Sequence, residues 1–202
     1  MKDIGLSVSR ETMERLELYF ELLKKWNPAI NLVSKSTIKH AWNRHFVDSA
    51  QIYEHAPENW SIWADFGSGG GFPGAVVAII ASEKNINGHV ILVESDQRKA
   101  AFLRNVMRET GVEAQIIAER IEKVPALNSD VISARALADL PALFQLSAPH
   151  AHEYSMLLFP KGANWQKEVL KANESWSYQH QVITSRTDPT AVILQVKGLA
   201  RV

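Results

Sequence analysis

The sequence predicts an α/β protein: a mostly parallel sheet with helices on both faces, ending in an antiparallel hairpin and preceded by a helical extension. Three observations carry this expectation. Short apolar strands alternate with helical segments from Ser61 onward, the pattern of βα units. A glycine-rich loop joins the first of those strands to its helix. The chain then closes on two strand-like runs around Thr187-Asp188-Pro189-Thr190, a connection short enough for a hairpin.

Taken in order, Ser9 is placed to cap a helix whose apolar residues Met13, Leu16, Tyr19, Phe20, Leu23 and Trp26 recur at spacings of three and four. Asn27-Pro28 is expected to end it, and Ser36 to cap a second helical stretch running towards His55. Residues 1–58 thus read as a helical extension packed on a core of residues 59–202, one structural domain overall. In the core, strands are expected at Ser61 to Phe66, His89 to Glu94, Glu113 to Ala118, Asp130 to Ala134 and Tyr154 to Phe159. Helices are expected at Gly74 to Ala81, Asp96 to Thr110, Asp139 to Ala148 and Asn164 to Asn173, the second closed by Gly111. The hairpin strands are Tyr178 to Ser185 and Ala191 to Lys197.

A chain of 202 residues suits one domain. With no cysteine it has neither a disulfide framework, nor a thiolate nucleophile, nor a cysteine-based zinc site. His40 and His45 are five apart, off the spacing of a helical metal pair, so no metal is expected. No tract is apolar enough to span a membrane, and Met1 to Gly5 carries no signal-peptide pattern, so a cytoplasmic protein is expected. The net charge of zero argues against a general nucleic-acid coat protein. Two stretches nevertheless lack acids: Leu22 to Val47, with Lys24, Lys25, Lys35, Lys39 and Arg44, and Gln97 to Arg108, with Arg98, Lys99, Arg104 and Arg108. Such runs form either solvated faces or a local footprint for an anionic partner.

The strongest chemical signal is Asp65-Phe66-Gly67-Ser68-Gly69-Gly70-Gly71-Phe72-Pro73-Gly74, with Pro73 able to open the following helix. Glycines let the backbone turn sharply and let a ligand reach main-chain N–H groups. Gly69, Gly71 and Gly74 satisfy the dinucleotide pattern, and Glu94 ends the next strand where a ribose-binding acid sits, so a nicotinamide-dependent oxidoreductase is one reading. Three features favour S-adenosylmethionine and a Rossmann-like methyltransferase fold. Asp65 stands two residues before Gly67, in a position to face the amino-acid part of that cofactor; no Tyr-x-x-x-Lys pair exists; and the chain leaves no room for a separate substrate domain.

The acceptor atom narrows by elimination. Pyrimidine C5 methylation calls for a cysteine nucleophile, and amino-group methylation for an Asn/Asp-Pro-Pro-aromatic motif where this chain has Ser133-Ala134-Arg135-Ala136. A ring nitrogen with a lone pair, such as guanine N7, needs no base, only positioning. Arg135 and Lys161 end neighbouring strands and are the positioning candidates. Arg135 is placed to contact cofactor or phosphate, or to pair with Glu94 or Asp139; Lys161 is either a site residue or plain surface. His45 reads as an RNA contact or a structural histidine, and Phe72 as the aromatic nearest the ligand. A non-catalytic RNA-binding module is a third reading, weakened by the intact loop with Asp65 and Glu94 both present.

Asn31-Leu32, Arg44-His45-Phe46-Val47-Asp48-Ser49, the glycine loop, Ile121-Glu122, Ser133-Ala134-Arg135-Ala136 and Pro160-Lys161-Gly162 together resemble the ribosomal RNA small subunit methyltransferase G family, also called glucose-inhibited division protein B. The likeness spans Leu16 to Gly162, and the chain beyond fits in pattern alone. It implies S-adenosylmethionine-dependent N7-methylation of a guanosine in the 530 loop of 16S rRNA. The partner expected is that rRNA within a 30S particle or assembly intermediate, and the protein is expected to be a monomer. The likeness also implies that Gly67 and Phe72 line the cofactor, that Ile121 and Glu122 flank its adenine or ribose, and that Arg135 touches its pocket. The full cofactor set expected is Asp65, Gly67, Gly69, Gly71, Phe72, Glu94, Ile121, Glu122 and Arg135; the RNA set is Lys35, Lys39, Arg44, His45 and Lys161. Gly70, at the loop's variable position, leaves the pattern intact and adds flexibility.

Overall fold

The computed structural model describes residues 3–34 and 36–202. Seven strands form one sheet: β1 (Ile62–Phe66), β2 (His89–Val93), β3 (Gln115–Ile117), β4 (Ser129–Ala134), β5 (Ala151–Lys161), β6 (Trp176–Thr184) and β7 (Val192–Arg201), in the order β3-β2-β1-β4-β5-β7-β6. The first five are parallel, while β7 runs antiparallel between β5 and β6. The strand order reverses between β1 and β4, and such a switch point opens a crevice at the carboxyl ends of the strands.

Alternation along each strand sorts the side chains onto two faces. Trp63, Val90, Leu92, Val131 and Leu158 point into one apolar cluster; Ala64, Phe66, Ile91, Val93, Ile132 and Phe159 point into the other. The first face carries α1 (Arg10–Ile30), α3 (Gly74–Lys84) and α4 (Gln97–Thr110); the second carries α5 (Leu140–Ser147) and α6 (Trp165–Ala172). Helix α3 is buried along all of Gly74 to Ala81 because α1 and the short helix Asp48–Tyr53 cover it from outside, which accounts for its uniformly apolar sequence. Asp96 caps α4 by accepting from Arg98 N at 2.8 Å, and Gly111 ends it at φ +63°. Among the described residues no helix is long and apolar enough to cross a membrane.

The helical extension departs from expectation in two places. Helix α1 does not stop at Pro28 but runs to Ile30 and ends at Asn31 in the left-handed conformation. A proline in a last turn forfeits one backbone bond; the Asn27 carboxamide compensates nearby by accepting from Val33 N at 2.8 Å. Nor does Ser36 cap a regular helix. Instead a 3₁₀ turn at Ile38–His40 leads into a π-helical segment, Trp42–Val47, and then α2 (Asp48–Tyr53). The wider coil aims Phe46 into a cluster with Tyr19, Phe20, Trp42 and Phe72. Insertions of this kind recur at functional sites.

Candidate functional site

The loop after β1 is built by its glycines. Gly67, Gly69 and Gly71 all have positive φ (+62°, +57° and +95°). A Cβ on Gly67 would lie 2.7 Å from Leu137 Cδ1, and one on Gly71 would meet the Tyr19 hydroxyl and, at 2.8 Å, Ala75. Gly70 is not a point of flexibility. Its carbonyl accepts from the Tyr19 hydroxyl, and a side chain there would press on the Leu32 carbonyl at 3.1 Å. The loop is therefore fastened to α1 and to the segment that follows it, a role that Tyr19's helical spacing alone could not reveal.

Glu94 sits beneath the turn, accepting from Gly69 N at 2.8 Å and from Asp96 N at 2.7 Å. Each carboxylate oxygen keeps a second lone pair, so capacity for two ribose hydroxyls remains. A cavity of about 550 Å³ opens beside it, walled by Gly67, Gly69, Phe72, Glu94, Lys99 and Arg135, among others. A smaller one of about 210 Å³ holds Ile121 and Glu122 and shares Gly67, Ser95 and Leu137 with the first. Leu137 and Ser95 had no signature in the sequence; they enter through the loops after β4 and β2.

Asp65 is placed otherwise than expected. As an odd-numbered residue of β1 it shares the α3 face with Trp63 and is fully buried, rather than facing the cavity. The Ser133 hydroxyl donates to its Oδ1 at 2.7 Å and itself accepts from the Trp63 indole at 2.9 Å, while Oδ2 has no partner. Burial pushes the carboxyl up to about 6, against the lowering effect of the Ser133 hydroxyl. Gly74 makes room for it: a Cβ at that position would lie 2.6 Å from Asp65 Cβ.

Arg135 pairs with Asp48 at 3.3 Å, and with neither Glu94 nor Asp139; the latter holds Lys171 at 2.8 Å. Its guanidinium also lies 5.1 Å over the Phe72 ring. His45 stacks on Phe72 at 5.1 Å, with Nε2 3.0 Å from the Thr37 hydroxyl. Burial, with Arg135 and Arg44 nearby, lowers its imidazole to about 3. It is therefore a neutral ring at pH 7 and offers no cation to a phosphate. Lys161 is not plain surface: it is buried, donating to Ala138 O at 2.8 Å and Glu168 Oε2 at 2.7 Å.

The acid-free stretches are also partly neutralised by acids at or just outside their ends. Lys24 pairs with Glu21, Arg98 with Asp96 and Arg108 with Glu109. Lys39 and Arg44 remain exposed, Arg44 within 3.6 Å of Asp188; Lys35 lies outside the described residues.

A second cavity, about 420 Å³, stands on the other side of Thr37, His45, Arg135 and Ala136, which belong to the walls of both this one and the 550 Å³ cavity. Asp48, Lys161 and Glu168 line only the second. Two ligand-sized spaces thus adjoin at the carboxyl ends of β1, β4 and β5.

The fold, the glycine cradle and the acid at the end of β2 together define an S-adenosylmethionine-dependent methyltransferase. Residues 12–191 match the family model described as rRNA small subunit methyltransferase G, and the chain belongs to that family. It is 52% identical over 200 residues to a ribosomal RNA small subunit methyltransferase G of Ruegeria sp. (strain TM1040), covering 99% of this chain and 97% of that one. A relative of the same description from Ruegeria pomeroyi is 48% identical, covering 98% and 96%. Among solved structures, a SAM-dependent methyltransferase from Aquifex aeolicus superposes with a TM-score of 0.59 at 11% identity, over 83% of this chain and 98% of that one. The ribosomal protein L11 methylase of Lactobacillus delbrueckii subsp. bulgaricus gives 0.60 at 15% identity, over 77% and 78%. Membership of this family removes the oxidoreductase and non-catalytic readings.

Proposed function

We propose that this chain methylates N7 of a guanosine in the 530 loop of 16S rRNA, in a 30S particle or an assembly intermediate. One observation carries the reading: a cofactor-type cavity and a second cavity edged by charged side chains meet across one wall.

The residues of the first cavity fit S-adenosylmethionine. Gly67 and Gly69 leave the space that side chains would fill, Glu94 has lone pairs for the ribose, and Ile121 offers an apolar flank for adenine beside Glu122. When bound, this cofactor supplies a methyl group activated by a sulfonium. The buried, unpartnered oxygen of Asp65 lies beneath the loop and contributes negative potential to a cationic ligand without touching it. Phe72 and Arg135, packed on one another, hold the boundary with the acceptor. Because guanine N7 carries a free lone pair, no proton has to be removed, and the site works by positioning. His45 supports the wall as a neutral stacking ring, and Lys161 orders the far side of the acceptor cavity. Lys39 and Arg44, with Lys35, supply charge for the RNA backbone. In this reading residues 1–58 and 59–202 act as one unit, in a cytoplasmic monomer.

The test is transfer of radiolabelled methyl to deproteinised 16S rRNA and to 30S particles lacking the modification. Label recovered as 7-methylguanosine in the 530-loop fragment is the expected result. Label elsewhere in the RNA discards the target and keeps the methyltransferase.

A further inference from the structure

We infer that Glu168, held by Lys161, reads the Watson–Crick edge of the acceptor purine and makes the second cavity selective for guanine. This rests on the guanine-N7 reading above and adds to it the residue that chooses the base.

The second cavity contains two carboxylates, and their bonding separates them. Asp48 is engaged through both oxygens: its Oδ1 accepts from Gln51 at 2.9 Å, Thr187 at 2.8 Å and Ser185 at 3.4 Å, and its Oδ2 from Arg135 at 3.3 Å. Glu168 accepts from Lys161 Nζ at 2.7 Å and from Leu140 N at 2.8 Å, and both bonds fall on one oxygen, Oε2. Its side chain is 25% exposed, in the wall of the cavity. The carboxylate is thus fixed in orientation by one oxygen while the other retains its acceptor capacity.

Guanine's edges complement this arrangement. N7 and O6 are acceptors, while N1–H and the 2-amino group, on the opposite side of the ring system, are donors. Directing N7 towards the wall shared with the cofactor cavity turns N1–H and the 2-amino group away from it, towards the residues that line only the acceptor cavity. A carboxylate there receives those donors, and the remaining N–H of Lys161 suits O6. Adenine presents a lone pair at N1 to the carboxylate and an amino group to the ammonium, so both contacts turn repulsive. A buried charged site left without its partner rejects a ligand far more strongly than a missing methyl group does.

The experiment compares guanosine with inosine, which lacks only the 2-amino group, at the acceptor position of reconstituted 30S particles. It uses wild type and Glu168→Gln. In the variant the carboxamide oxygen can keep Leu140 and Lys161, which turns its N–H groups towards the base. Wild type is expected to prefer guanosine by roughly tenfold or more in kcat/KM, and Glu168→Gln to reduce that preference to about twofold or less. S-adenosylmethionine affinity, measured by calorimetry, should be the same in both proteins, which reports that the variant folds. A guanosine-to-inosine ratio unchanged in the variant, even with a slower rate, makes Glu168 a structural residue and overturns the inference. So does a wild type that does not discriminate. Absence of transfer to guanosine by wild type overturns the N7 reading along with it, whereas transfer without discrimination leaves that reading standing.

Discussion

A carboxyl group sealed from water beneath a glycine loop is a liability for the fold. Asp65 is pushed up to about 6 by burial, and its unfolded counterpart titrates in the ordinary carboxylate range. Between those two values the folded chain binds more protons than the unfolded one. Its contribution to stability is therefore fullest below about pH 4 and is lost as pH rises through about 6, a difference of roughly 2–3 kcal/mol. Asp65→Asn should unfold at higher urea concentration than wild type at pH 7.5 and show a flatter pH dependence between 4 and 6. It should also bind S-adenosylmethionine more weakly, having lost a negative charge near a cationic ligand. Equal urea midpoints across that pH range would contradict this account. The neighbouring Gly67 makes the opposite trade. Gly67→Asp places a β-carbon against Leu137 at a φ of +62° and fills the cradle, so cofactor affinity should fall by about a hundredfold or more. An unchanged dissociation constant would show that the loop does not hold the cofactor.

Helix ends separate what a sequence displays from what it conceals. Gly111 was legible as a terminator because a left-handed cap needs a residue without a β-carbon, and nothing lies within 4 Å of where one would stand. That open space isolates the backbone term: Gly111→Ala should destabilise by about 1 kcal/mol, read as a lower melting temperature with cofactor affinity unaltered. A loss several times larger would point to packing that the structure does not contain. Pro28 misled because a helix can absorb the one bond that proline forfeits when only its last turn remains to run, as it does here. The π-helical winding at Trp42–Val47 leaves no spacing signature, since one inserted residue shifts the apolar period without breaking it. Strands were read well in place and poorly in length. β5 begins at Ala151, ahead of the apolar run, because Ala151 already pairs with Ser129 while Glu153 and Tyr154 turn their side chains to solvent.

At the scale of the molecule, what was readable followed from geometry that chain order imposes. Glu94 and the glycine loop sit at adjacent strand ends, so the cofactor side could be assembled from order alone. The acceptor side could not, because Asp48, Arg135, Lys161 and Glu168 come from four separate segments and are joined by ion pairs. The same limit applies to charge. Runs without acids looked basic until their flanking acids proved to be partners. With zero net charge, RNA attraction has to come from a few exposed cations rather than from the whole surface. Arg44→Glu should weaken binding to 30S particles and reduce the slope of log affinity against log salt by about one, leaving cofactor affinity as it was. An unaltered slope would assign Arg44 to Asp188 alone.

The wall of Thr37, His45, Arg135 and Ala136 belongs to two cavities at once. Ligands that touch the same wall residues from its two sides are coupled through them. Any factor by which the methyl donor tightens the grip on RNA must equal the factor by which RNA tightens the grip on the donor. In the N7 reading proposed above, transfer would take a positive charge from the sulfur side and leave one on the purine. Beside Arg135 the like-charge repulsion therefore passes from the donor side to the acceptor side, which favours departure of the methylated RNA.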